Sequence, residues 1–161
     1  MNLSRNALSC RTIEYGSCDW QSARELRYAL FFAELGLPIT VLDDAFERDA
    51  IHFAAFDRAQ LVAYGRLALL PVCRGQISQM VVAPDRQGQG AGNLVLQGLI
   101  AIARQAGLNE LILNARVFAQ DFYAKEGFDA QGAVYVSPTT GVPHIKMHLE
   151  LSSPASIHIK S

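Results

Sequence analysis

No charge of one sign dominates this chain. Its 161 residues carry 14 Lys plus Arg against 15 Asp plus Glu, a formal net charge of −1. The basic excess of a dedicated nucleic-acid binder is missing, so no nucleic acid is expected among its partners. Long hydrophobic runs are missing too. The richest stretch, Leu94 to Ala103, falls short of the roughly 18 apolar residues a membrane helix needs. It is also broken by Gln97 and Gly98, and it reads as a buried helix. The opening MNLSRNALSCRTIEYG lacks the apolar core of a secretory signal. No membrane association is expected. Cysteines are few, 3 in all, and Cys10, Cys18 and Cys73 show no Cys-x-x-Cys spacing. That scattered, odd set argues against a disulfide framework or a zinc site and for reduced thiols in a cytoplasmic protein. Cys73 lies beside a predicted turn with no activating neighbour and reads as structural. With 50% hydrophobic and only 18% charged residues, global disorder is excluded, and the length suits one domain with its own core.

What is present is an alternation of strand and helix patterns. Thr12–Tyr15 is short and β-prone. Asp19 is placed to cap a helix whose apolar face runs Trp20, Ala23, Leu26, Leu30, Ala33, with Gly36 and Pro38 ending it. Asp43-Asp44 opens a short helical or turn segment. Ile51–Phe56 and Leu61–Leu70 read as strands joined by an Asp57–Gln60 hairpin loop, and Gln76–Val82 as a third. A helix is expected from about Asn93 to Gln105, a strand at Glu110–Leu113 and a helix at Val117–Glu126 closed by Gly127 and Phe128. Strands near Ala133–Ser137 and His144–Leu151 flank a Pro-Thr-Thr-Gly turn. The pattern predicts a mixed α/β layer fold over residues 8–151, with 152–161 a loosely attached tail.

The segment with the most chemical content is Gln87-Gly88-Gln89-Gly90-Ala91-Gly92, set between a strand and a helix. The unpaired N–H groups that open a helix, and its dipole, favour an anion there. Glycines let the main chain approach a phosphate closely. Two phosphate motifs fail. The loop has no Lys for a P-loop, and the third glycine of a dinucleotide fingerprint would fall on Asn93. The nucleophile elbow G-x-S-x-G is absent as well. His144 and His148 would stand about 13 Å apart along one strand, too far to converge on a metal, so no metal is expected.

The form Q-x-x-G-x-G after Met80-Val81-Val82 resembles the acetyl-CoA pyrophosphate loop of the GNAT acetyltransferases. Leu113-Asn114-Ala115-Arg116, Phe122-Tyr123-Ala124-Lys125-Glu126-Gly127-Phe128 and Gly141-Val142-Pro143-His144 extend the likeness, towards the ElaA-like subgroup. Upstream, Glu25-Leu26-Arg27-Tyr28, Phe31 to Pro38, His52 with Ala54-Ala55, and Ala63 to Leu67 resemble it too. The likeness covers roughly Arg24 to Leu151.

The resemblance implies a mainly antiparallel, twisted sheet flanked by helices, with a splayed strand pair that admits the pantetheine arm. It implies an enzyme that transfers an acetyl group from acetyl-CoA directly to a primary amine. A CoA-binding regulatory domain without turnover and a transferase of longer acyl chains are the alternatives. By the same likeness Met80, Val81 and Val82 would pair with pantetheine. Gln87, Gly88, Gln89, Gly90, Ala91, Gly92 and Asn93 would hold the pyrophosphate, with Arg86 or Arg104 adding charge. Asn114 would lie near the thioester, and Tyr123 would protonate the departing thiolate. A monomer and a homodimer both fit.

The base is less clear. An alkyl amine of pKa about 10.4 must lose a proton at a cost of roughly 4–5 kcal/mol at pH 7. Some relatives place a Glu on the strand before the loop, but Gln76-Ile77-Ser78-Gln79-Met80 has no carboxylate. His144 is the first candidate, since imidazole titrates near neutral pH. His52 and Glu34 are the others, on the acceptor side. Each of the three has a plain structural alternative: a hydrogen-bonded histidine, or a charge at a helix end.

Overall fold

The computed structural model describes residues 7–151. Seven strands form one sheet: β1 (Ser9–Ile13), β2 (Ile51–Asp57), β3 (Gln60–Leu70), β4 (Arg74–Val82), β5 (Glu110–Arg116), β6 (Asp129–Val136) and β7 (Pro143–Glu150). Their spatial order is β1-β2-β3-β4-β5-β7-β6. Every neighbouring pair is antiparallel except β4 and β5, which are parallel and joined by a crossover. The crossover contains helix α2 (Ala91–Gln105); α1 (Cys18–Phe31) and the short α3 (Gln120–Ala124) complete the helices.

Helices cover both faces, which explains why β2 and β3 are nearly continuous apolar runs. Alternate residues take opposite sides. Phe53, Ala55 and Leu67 pack with Val95 and Leu99 of α2, and Ala54, Phe56 and Tyr64 pack with Trp20 and Ala23 of α1. A β-carbon on Gly65 would sit 2.8 Å from Leu99 Cδ1 and closer still to Met80 Sδ, so only glycine lets β3, α2 and β4 meet there.

The expected mixed, mainly antiparallel sheet is present, with several local differences. Ser17, not Asp19, caps α1: its Oγ accepts from Trp20 N at 3.1 Å, while Asp19 pairs with Arg11 at 3.0 Å. Ser17 wins because its extended backbone aims the hydroxyl at the third helical N–H. The α-helix stops at Phe31, and the next turn is a 3₁₀ turn over Ala33–Leu35 that ends at Gly36. β1 lies earlier than expected, at Ser9–Ile13, since Tyr15 is taken by a ring contact with Trp20 at 4.7 Å. The expected Val117–Glu126 helix divides into a 3₁₀ turn, Val117–Ala119, and α3. β6 begins at Asp129 and carries an irregularity between Gln131 and Tyr135, which hid its period from the sequence. Cys73, read as structural, is exposed in the β3–β4 turn. The expected 152–161 tail lies outside the described residues, among which no helix is long and apolar enough to cross a membrane.

Candidate active site

The site begins with a break in the sheet. β4 and β5 pair only through Arg74–Gln76 and Glu110–Ile112. Beyond Gln76 the ladder ends, and the β5-facing edge of β4 is left open. At the same place β4 carries one extra residue against β3: Tyr64 opposes Val81 and Arg66 opposes Ser78. Gln79, in this bulge, takes φ +61°, a left-handed conformation that is unusual for a residue with a side chain. The bulge turns Met80 towards the α2 side and Val81 towards the α1 side.

Two hollows flank the opening. One, of about 570 Å³, lies over the glycine loop and is lined by Val82, Arg86, Gln87, Gly88, Gly90, Ala91, Gly92 and Asn93 from one side. Phe118, Phe122, Lys125 and Glu126 close it from the other. Gly90, at φ +88°, is the N-cap of α2 and supplies no side-chain oxygen to it. The first intrahelical bond is Leu94 N to Gly90 O at 3.1 Å, so the N–H groups of Ala91, Gly92 and Asn93 have no partner within the helix. That is the electrostatic setting for a phosphate. Arg86 lines this hollow while paired to Asp57 at 2.7 Å. Arg104 sits in the last turn of α2, at the helix's other end. Gln89 does not line the hollow; its amide donates to Asp85 O at 3.5 Å. Val81 is buried against α1 and does not line it either.

The second hollow, about 560 Å³, opens on the other side of the break. Gln79 and Met80 of β4, Asn114 and Arg116 of β5, Tyr123 of α3, Tyr135 of β6 and His144 of β7 line it, with Phe31, Phe32 and Asp44 on the α1 side. Phe118 lines both hollows, at their junction. Three residues form one cross-strand row: Arg116 opposes His144, and His144 opposes Tyr135. The Tyr135 and His144 rings stack with centroids 5.9 Å apart. Nδ1–H of His144 donates to Val142 O at 2.7 Å, so in the neutral ring Nε2 carries the lone pair. His148, four residues on, is bonded instead to Glu110 Oε2 at 3.0 Å.

Tyr123 packs edge-on to Phe122 and Phe128, at 5.0 and 6.1 Å. Burial pushes its phenol up to about 12, and the nearby Arg116 charge opposes this only in part. The hydroxyl is a donor throughout the neutral range and becomes an anion only in strong alkali.

His52 is elsewhere. It is 2% exposed and lines neither hollow. Nε2–H donates to Glu47 O at 2.8 Å and Nδ1 accepts from the Tyr64 hydroxyl, so both nitrogens are committed. Burial lowers its pKa and keeps the ring neutral. Glu34 is exposed on the 3₁₀ turn after α1 and lines neither hollow.

A buried charge cluster, missed in the sequence, braces the second hollow. Glu47, 3% exposed, accepts from Trp20 Nε1 at 2.8 Å, from Arg27 at 2.7 and 2.9 Å, and from Arg66 at 2.7 Å. Burial alone would raise the Glu47 pKa, but its arginine and tryptophan hydrogen bonds and the arginine charges outweigh this and lower it to about 2. Arg66 reaches on to Ser78 at 3.0 Å and to Asp44 through two bonds of 2.9 Å. Two lining residues are thereby fixed from beneath. Arg116 and Lys125 were also overlooked as site residues. The period-2 alternation from Asn114 was the available signal for Arg116.

The acetyltransferase (GNAT) domain family matches residues 38–151. The chain belongs to the GNAT acetyltransferase family. Among curated relatives, an uncharacterized N-acetyltransferase of Bacillus subtilis, YjcF, is 25% identical over 122 residues, spanning 76% of this chain and 86% of that protein. Among solved structures, Escherichia coli ElaA superposes with a TM-score of 0.77 at 21% identity, covering 89% of this chain and 100% of that one. An acyl-CoA N-acyltransferase from Pseudomonas aeruginosa gives 0.74 at 26% identity, covering 88% and 99%. The resemblance read from the loop and the tyrosine motif is thus confirmed at family level, and this GNAT chain is an acyltransferase. GNAT domains use acetyl-CoA as a substrate.

Proposed function

We propose that the protein transfers an acetyl group from acetyl-CoA directly to a primary amine, within a single domain spanning residues 8–151. One observation carries this reading. The opening of β4 from β5 beyond Gln76 joins a glycine-capped helix start on one side to a pocket of Asn114, Tyr123 and His144 on the other. A donor lying along the open edge of β4, at Met80–Val82, would set its pyrophosphate against Gly88–Asn93 and its thioester beside Asn114 and Tyr123. Gln87, Gln89 and Val81 belong to the same loop and strand and would contribute main-chain groups.

In this reading His144 accepts the amine proton through Nε2, directly or through water. The amine nitrogen attacks the thioester carbonyl, the C–S bond breaks, and the sulfur leaves as thiolate, which takes up through water the second proton that the nitrogen loses on becoming an amide. Tyr123 donates a hydrogen bond to that sulfur. Full proton transfer from a phenol near 12 to a thiolate of pKa about 8.5 would be uphill by roughly 5 kcal/mol, so hydrogen bonding is its main contribution. Glu34 and His52 take no direct part: one is outside the pocket and the other has both nitrogens engaged.

Calorimetric titration with acetyl-CoA, with CoA, NAD and ATP as controls, tests the donor half. Saturable micromolar binding of the CoA species alone is expected, and its absence from folded protein overturns the reading. Thiol release across an amine panel then tests turnover.

A further inference from the structure

Two charged side chains line the acceptor pocket, and they differ in one respect. Asp44 is neutralised: Arg66 holds both carboxylate oxygens at 2.9 Å, and Phe46 N donates to Oδ1 at 3.0 Å. Arg116 has no such partner. Among the described residues no carboxylate pairs with it and no acceptor takes any of its side-chain N–H groups. Its contacts are ring faces: the guanidinium carbon lies 4.7 Å from the Phe31 centroid and 6.0 Å from that of Phe118. Aromatic contacts of this kind engage the flat face of the guanidinium and leave its edge, with the N–H fork, free. The group is half-buried, so water replaces a missing anion only in part.

The pocket therefore holds an unanswered cation with a planar fork of donors. A ligand that satisfies it carries a planar anion.

Resting on the N-acetyltransferase reading, we infer that the acceptor is an amino carboxylate, its carboxylate gripped edge-on by Arg116 and its amine directed towards His144. Arg116 opposes His144 directly across the β5–β7 ladder. Residues so paired stand about 5 Å apart at their β-carbons, which suits an amine and a carboxylate separated by few bonds. A bidentate guanidinium–carboxylate contact adds geometric selection as well as attraction.

The test uses the full chain, acetyl-CoA and thiol release. Free α-, β- and ω-amino acids are each compared with the matching carboxamide, the decarboxylated amine and the aminophosphonate. Amino carboxylates are expected to exceed their carboxamides and decarboxylated amines in kcat/KM by tenfold or more. Arg116→Gln is expected to bring that ratio close to one through a raised KM for the carboxylate, and Arg116→Lys to restore part of it. Acetyl-CoA affinity, read by calorimetry, should stay within twofold in both variants. Equal use of carboxylates and carboxamides overturns the inference. So does a ratio that survives Arg116→Gln, a preference for aminophosphonates, or a chain that binds acetyl-CoA yet acetylates no amino carboxylate. Failure of the unmodified chain to bind acetyl-CoA overturns the parent reading instead. Discrimination by the unmodified chain decides the matter even where a variant fails to fold.

Discussion

Arg116 and His144 are cross-strand partners, directly opposite each other on β5 and β7. Both face the pocket at the opening of the sheet. The Nδ1–H of His144 is held by Val142 O at 2.7 Å, so in the neutral ring the lone pair lies at Nε2.

Removing that lone pair has a pH signature. His144→Ala is expected to depress kcat/KM for the amine more at pH 7 than at pH 9. An alkyl amine near pKa 10.4 is some hundredfold more deprotonated at pH 9 than at pH 7 and needs the base less. Rates of wild type and variant across that range check this. An equal loss at both values assigns His144 to positioning.

Tyr123→Phe is expected to lower kcat tenfold or more and to leave acetyl-CoA affinity within twofold. The ring keeps its edge contacts with Phe122 and Phe128, and only the hydroxyl is lost. Because burial holds the phenol near 12, no alkaline fall in kcat from this residue is expected below pH 11. Steady-state kinetics with calorimetry decides; an unchanged kcat removes Tyr123 from the chemistry.

Gly90→Val addresses the anion site. Gly90 stands at φ +88°, where a side chain costs about 1–2 kcal/mol. A β-branched residue there shifts the start of α2 and misaligns the three N–H groups beyond it. Acetyl-CoA Kd is expected to rise at least tenfold while the melting temperature falls by only a few degrees. Unaltered affinity would detach the loop from phosphate binding.

Glu47→Gln tests the brace. It leaves Arg27 and Arg66 without a buried counter-charge, which costs about 3–5 kcal/mol. The Glu47 pKa, about 2 in the fold, lies below the ordinary carboxylate value near 4.3. Its stabilising effect is therefore complete above that ordinary value and is lost as pH falls towards 2. Denaturant titrations of wild type and variant should differ most near pH 6 and converge towards pH 2–3. A gap constant across that range would refute the assignment.

Local features were the legible ones. The glycine loop, the strand before it and the helix after it are contiguous, so their order alone predicted an anion site. Tyr123, Asn114 and His144 entered through sequence likeness, and the fold brings all three to one pocket. His52 was a candidate behind His144, because alternation with apolar neighbours does not tell which partners await a side chain. The carbonyl of Glu47 and the hydroxyl of Tyr64 claim both its nitrogens, and the side chain turns inward. Glu47 and its two arginines were invisible for the same reason: they come from α1, the loop after it and β3.

By itself, the sequence determined the element types, the mixed sheet, the glycine loop between strand and helix, and the family, since each depends on short-range spacing or on a run of matched residues. Tertiary structure alone decided the pocket lined by Asn114, Arg116, Tyr123 and His144. β7 inserts between β5 and β6, placing Arg116, His144 and Tyr135 in one row although they lie far apart along the chain. The physical reason is strand pairing. Register sets which residues stand opposite one another, and register follows from long-range packing that no local spacing encodes.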